Sequence, residues 1–234
     1  MPRILSSPNS LAAPKSVGRW ALALLVFACS GDAVAQSSGL EAPRPFEASY
    51  RLEIRSWPGA TVHHTLKRDG LHWLSDMRFS IAVAKGEERS RFTVEDDQSR
   101  SLLYSSRYSL LGVGDRYSLD EADLTALDRQ AALFDLSRRA DADACTQRAP
   151  CDVTFLDHRG REEHFQYHAH PLATVSVPAG EFQAHRVTLV DVEKPDRHLD
   201  ISFHPEWPGL ILSAEYIKDG RRDTTLRLTR FDPQ

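Results

Sequence analysis

From Phe46 nearly to the end of the chain, apolar side chains recur at every second position, and this period of two decides what the sequence can build. Phe46, Ala48, Tyr50, Leu52 and Ile54 fall on one face of an extended segment, with Glu47, Arg51, Glu53 and Arg55 on the other. The same beat returns at Leu71, Trp73, Met77, Phe79, Ile81 and Val83, at Phe92 and Val94, and at Leu102, Tyr104, Tyr108 and Leu110. It resumes at Val153 and Phe155, Phe165 and Tyr167, Val187 and Leu189, then Leu199, Ile201 and Phe203, and closes at Leu226 and Leu228. Alternation of this kind marks antiparallel strands with one buried and one wet face. Turn chemistry separates the runs. Asp69-Gly70 and Asp219-Gly220 read as hairpin turns, and Trp57-Pro58-Gly59 and Trp207-Pro208-Gly209 as Pro-Gly turns. Each Trp-Pro-Gly precedes its Asp-Gly by the same interval, but the residues between barely match, so shared turn chemistry explains the coincidence better than an internal repeat.

One stretch breaks the pattern. Helix formers run from Ala126 to about Ala144, with Thr125 as the expected cap and Asp128 in the first turn. Leu127, Ala131 and Phe134 share one side, whereas Leu133, Leu136 and Ala140 fall roughly opposite. A helix apolar on two sides is buried on two sides and needs a sheet to lean on. The expected fold is therefore mainly β: a large curved antiparallel sheet, or an incompletely closed barrel, packed around one helix. A closed up-and-down barrel is the nearest alternative. An immunoglobulin-like sandwich has no natural place for the helix.

The chain has 234 residues, 41% hydrophobic and 26% charged, which suits a soluble globular protein and excludes a multi-span membrane protein or a wholly disordered chain. Its amino end reads as a signal peptide, residues 1–35. Lys15 and Arg19 precede the apolar run Trp20–Ala28, and Ala33-Val34-Ala35 forms a small-x-small cleavage site. A second route is open, because Val26-Phe27-Ala28-Cys29 loosely matches a lipobox that would leave Cys29 lipidated; bulky Phe27 argues against it. Cleavage after Ala35 leaves 26 basic against 32 acidic residues, a net charge of −6 compared with −4 for the whole chain, so no nucleic-acid surface is indicated. Residues 36–45 form a polar, proline-bearing lead-in and residues 46–234 a single domain. Two cysteines then remain, Cys145 and Cys151, and an even count in an exported, periplasmic protein predicts a disulfide.

Pro45-Phe46-Glu-Ala-Ser-Tyr50-Arg-Leu, Val177-Pro178-Ala179-Gly180-Glu-Phe182 running on to Val187, the helical Asp128–Ala140 segment and the closing pair of strands resemble a bacterial envelope family, the one catalogued as domain of unknown function 3108. The resemblance spans about residues 45–231. It implies export to the periplasm and a β-rich fold, and it brings no enzymatic activity. In inferred shape the chain also resembles, more remotely, the unclosed barrels of lipoprotein-localisation factors, which carry acyl chains.

Three candidate chemistries remain. His164, His168 and His170 share parity on one strand, with Glu162, and would form a metal site if they chelate; that is the basis of a metal-dependent hydrolase reading. Pro171 is expected to end their strand. His63 and His64 are adjacent, face opposite sides and cannot chelate together. Nucleophilic catalysis finds no support: there is no Gly-x-Ser-x-Gly elbow, and neighbouring carboxylates such as Glu87-Glu88 point apart. Phosphate-cradling glycine loops are absent, and no cofactor is implied. The leading expectation is a non-enzymatic periplasmic binding or accessory protein whose interior takes a lipid or another hydrophobic ligand. Tyr50, Leu52, Trp73, Phe79, Phe92, Tyr104, Tyr108 and Phe134 would line that pocket. A structural envelope protein that meets a protein partner through a sheet edge is the third reading.

Overall fold

The computed structural model describes residues 40–95, 97–140 and 145–234. The signal peptide, Cys29 and the start of the lead-in lie outside the described residues. The alternating segments form the strands β1 (Phe46–Ile54), β2 (Ala60–Asp69), β3 (His72–Ser80), β4 (Ala84–Glu95), β5 (Gln98–Leu110) and β6 (Val113–Asp120). Then comes the helix α1 (Arg129–Arg139), followed by β7 (Cys151–Leu156), β8 (Glu162–Val177), β9 (Gly180–Asp191), β10 (Arg197–Phe203), β11 (Ile211–Lys218) and β12 (Arg221–Pro233). All twelve strands join one sheet in the order β6-β5-β4-β3-β2-β1-β12-β11-β10-β9-β8-β7. Every pairing is antiparallel. Two six-strand meanders thus meet through β1 and β12, and the sheet stays open, with β6 and β7 as its edges. The chain crosses from one edge to the other through α1.

Period two fixes which face is inside. Along β1 the pair Phe46 and Tyr50 is fully buried while Glu47 is exposed. Turn residues do what their chemistry allows: Asp219 and Gly220 both take positive φ (51° and 67°), the primed geometry that suits a two-residue hairpin. One expectation about strand ends is corrected. β8 does not stop at Pro171; it runs on to Val177 through a register shift between His170 and Ala173. A bulge accommodates a proline that cannot donate to the ladder.

The helix begins later than its sequence signal, and residues 141–144 of that signal lie outside the described residues. It spans Arg129–Arg139, and the cap is Asp128 rather than Thr125. Asp128 Oδ1 accepts from the backbone N–H groups of Gln130 and Ala131 at 3.0 and 3.1 Å. Its Oδ2 accepts from the hydroxyls of Ser90 (2.7 Å) and Ser101 (2.6 Å). The cap is therefore also the weld between the helix and β4 and β5. Thr125 is exposed and reaches no helix N–H, which is why a sequence-plausible cap three residues earlier loses. At the other end, the buried Arg138 guanidinium donates to the Glu41 carbonyl (2.8 Å) and to Asp97 Oδ1 (3.0 Å). None of the α1 residues is exposed.

Just past the helix, Cys145 and Cys151 form a disulfide, as the even cysteine count predicts. The Tyr167 hydroxyl lies 3.2 Å from Cys145 Sγ, tying this corner to β8.

Candidate functional site

The helix divides the interior. Its Phe134 ring packs 4.9 Å from Phe92, centroid to centroid, and a methyl group placed on Gly209 would come within 3.0 Å of the same ring. Phe46, Leu66, Phe92, Phe203, Leu210 and Leu212 are buried around it, and this end of the sheet is solid. The void left there, beside His64, Ser75 and Gln130, is about 20 Å³. His64 is wholly buried. Desolvation pushes its imidazole down to about 4, so it is neutral at physiological pH.

The opposite face of α1 borders something different. Arg129, Ala132, Leu133 and Leu136, at positions spaced three and four apart, form one wall of a cavity of about 620 Å³. The sheet supplies the other walls. Leu52, Val62, Phe79 and Leu226 come from the central strands, and Val153, Phe155, Phe165, Leu189 and Leu199 from the second meander. Register places these residues together: Leu52 pairs with Leu226, Val62 with Phe79, and Phe79 with Gly86. Gly86 is required here, because a Cβ on it would overlap the Phe79 ring. The wall is mostly apolar and the volume falls within the ~300–1,000 Å³ usual for ligand sites.

Charge sits at the mouth and near the helix start. Arg129 is ion-paired with Glu88. Arg159 lies 5.6 Å over the Tyr117 ring, and Tyr117 meets His158 edge-on at 5.9 Å. Burial first, then the positive charge of Arg129, lowers the His158 pKa. Ser106 Oγ donates to the His158 carbonyl at 3.0 Å. These contacts carry the turn after β7 onto β5 and β6, so side chains draw the two sheet edges together where no ladder joins them.

Of the eight side chains that sequence reasoning assigned to a pocket, Leu52, Phe79 and Tyr108 border the large cavity. Trp73, Phe92 and Phe134 belong to the packed end, with Tyr50 and Tyr104 also buried away from the cavity. Sequence reasoning missed Val153, Phe155, Phe165, Leu199 and Leu226 as wall residues, although their alternation already marked them as inward-facing.

The histidines lie on the other side of the sheet. His168 and His170 rings are 4.8 Å apart. His170 Nε2 lies 3.0 Å from Thr188 Oγ1, whose hydroxyl in turn donates to Asp200 Oδ1 at 2.5 Å. His164 is engaged with Thr154 Oγ1 at 3.0 Å and lies 3.9 Å from Glu162. Among the described residues no group of three or more His, Cys, Asp or Glu side chains is gathered to hold a metal ion; His164 and His170 are instead engaged across the strands by Thr154 and Thr188. No described helix is long and apolar enough to cross a membrane.

The molecule is thus a mainly β protein whose open twelve-stranded antiparallel sheet is packed on a single helix. No family model matches the chain, including one for the envelope family it resembles in sequence. No curated protein matches it either. Among solved structures it is similar to one chain of the Pseudomonas aeruginosa MucA/MucB complex, at 10% identity and a TM-score of 0.42, over 81% of this chain and 51% of that one. The protein therefore spans about half the length of that chain. A candidate lipoprotein from Parabacteroides distasonis is similar at 7% identity and a TM-score of 0.36, covering 83% and 97% of the two chains. A candidate exported protein with a YmcC-like fold from Bacteroides fragilis is similar at 9% identity and 0.37, covering 83% and 99%. All three likenesses are remote.

Proposed function

We propose that the protein is a non-enzymatic binding protein of the bacterial envelope that shelters an apolar ligand between α1 and the open sheet. One observation carries this reading: a cavity of about 620 Å³ between α1 and the sheet, larger than the concavities of about 350 and 430 Å³ elsewhere on the sheet, with a mostly aliphatic and aromatic wall that charged side chains such as Arg107, Asp115 and Arg159 interrupt. A fold that could have closed its sheet over a solid core instead keeps one end open. The amino-terminal sequence that reads as a signal peptide and the Cys145–Cys151 disulfide support a periplasmic location, since such bridges form in oxidising compartments.

The test is uptake of an apolar fluorescent probe, N-phenyl-1-naphthylamine, by the delipidated protein. Wild type binds it saturably. Ala132→Phe, which places a ring in the cavity from the helix wall, weakens binding by more than tenfold while the thermal midpoint holds. Absence of saturable uptake by wild type defeats the reading, as does undiminished uptake by Ala132→Phe.

A further inference from the structure

We propose that Gln130 reads the ligand: its side-chain amide donates a hydrogen bond to the carbonyl oxygen of a neutral acyl ester or amide held in the cavity. This rests on the cavity being a site for an apolar ligand, as argued above. Gln130 lies in the first turn of α1, is 5% exposed, and borders both the large cavity and the small void beside His64. Its Oε1 accepts from the Ser75 hydroxyl at 2.5 Å. Ser75 has one proton and places it there. The 3.0 Å contact between Ser75 Oγ and His64 Nε2 is therefore made by the ring N–H donating to Ser75. Burial keeps His64 neutral, so the ring has one N–H to give, and it is already used.

The donor chain ends on Gln130 Nε2. That nitrogen carries two N–H bonds and has no partner among the described residues, although it is buried. An orphaned buried donor is costly, and in a native protein each one calls for an explanation. An acceptor brought by the ligand supplies one. Chemistry beside Gln130 narrows the acceptor. The cavity's other guanidiniums, Arg78, Arg107 and Arg159, come from β3, β5 and the turn after β7; the one next to Gln130 in the helix, Arg129, is already neutralised by Glu88, so a carboxylate held at Gln130 would gain no free cation from it and would stand close to a carboxylate instead. A carbonyl accepts without bringing charge, and Leu133, Leu136 and Phe165 suit the chain attached to it.

The experiment is competition against N-phenyl-1-naphthylamine with three compounds of equal chain length: methyl palmitate, palmitate and hexadecane. With wild type, the ester displaces the probe about tenfold more effectively than hexadecane, the factor expected of one well-made buried hydrogen bond, and palmitate is weaker than the ester. Gln130→Leu abolishes the ester's advantage over hexadecane. The carbonyl stretch of isotope-labelled methyl palmitate bound to wild type gives a second readout, independent of how well the variant folds. It lies below its frequency in hydrocarbon solvent if the bond is made. An ester no better than hexadecane, or a carbonyl band at the hydrocarbon position, overturns the assignment of Gln130 while leaving the cavity as a binding site. Failure of wild type to take up the probe at all overturns the binding function itself.

Discussion

The two ends of the curved sheet are built from the same kinds of residue and do opposite things. At one end Phe92 meets Phe134 across 4.9 Å and the void beside them is about 20 Å³. At the other, Phe79, Phe155 and Phe165 face a space of about 620 Å³. Inward-facing aromatics alternate along the strands at both ends, so the strand pattern by itself does not make the difference. The helix does: one face carries Phe134 and Ser137 into the packed end, and the other presents Ala132, Leu133 and Leu136 to the open one. An inward-facing aromatic is a core residue where α1 leans on it and a wall residue where α1 turns away.

Truncation should expose that difference first. Phe134→Ala removes the ring that both halves of the sheet pack on and is expected to cost about 3–5 kcal/mol in urea unfolding, by lost transfer energy plus a new cavity. Leu226→Ala, on the open wall, creates no new enclosed void and should cost about 1–2 kcal/mol, mainly the transfer part. Equal losses at the two positions would mean that the cavity collapses in solution.

The next effect concerns acid. His64 belongs to the packed end, and its folded pKa of about 4 lies below the ordinary 6.5 it has when unfolded. The unfolded chain therefore takes up the proton first. The stability that a neutral His64 secures is fully present above pH 6.5 and is lost as pH falls toward 4, by roughly 3 kcal/mol across that window. Urea midpoints measured between pH 7 and pH 4 should fall accordingly, and His64→Leu should flatten that slope. A slope unchanged by His64→Leu would place the acid sensitivity elsewhere.

Smaller still is the disulfide. It closes a short loop beyond the helix, and its Cys151 opens β7, two residues before the wall residue Val153. Replacing Cys145 and Cys151 together by serine should cost about 2 kcal/mol in the chain-entropy picture, with probe uptake unaffected. Loss of uptake would show that this corner, through Tyr167 and β8, holds the open end in shape.

Much of this fold was written in the period of two: most of the strands and two hairpin turns can be read from the residues, but β2, β6 and β11 carry no such mark in that reading, and Leu71 and Tyr108, placed on the inner face by alternation, are exposed. The helix was legible as an interruption, but not its cap, because Thr125 and Asp128 are both good N-cap residues and only the serines of β4 and β5, Ser90 and Ser101, decide between them. The site was half legible. Leu52 and Phe79 could be named as pocket residues, yet so could Phe92 and Phe134, since nothing local distinguishes an aromatic that is packed from one that lines a space. That distinction arises from where an eleven-residue helix comes to rest. Gln130 gave no sequence signal at all, being a polar residue in a helix that could equally have faced water.

The finest comparison is between two identical tripeptides. Trp57-Pro58-Gly59 joins β1 to β2 at the open end, and Trp207-Pro208-Gly209 joins β10 to β11 at the packed one. Trp57 is 48% exposed, whereas Trp207 packs edge-on to Phe231 at 5.2 Å. Gly209 has φ +84° and donates its N–H to Ser137 Oγ at 2.7 Å, fastening the turn to α1. Gly59 has no positive φ, and a Cβ on it would sit 3.5 Å from the Leu52 carbonyl, an ordinary contact. Alanine at Gly209 must adopt a left-handed conformation and press on Phe134, for a cost of about 1–2 kcal/mol. Alanine at Gly59 should change stability by no more than about 0.5 kcal/mol, with the sign set by the smaller entropy of the unfolded chain. The measurement is the difference between the two urea midpoints. If both substitutions prove silent, the turn at Gly209 yields without disturbing the helix, and the seating of Phe134 on that turn is not what keeps the packed end solid.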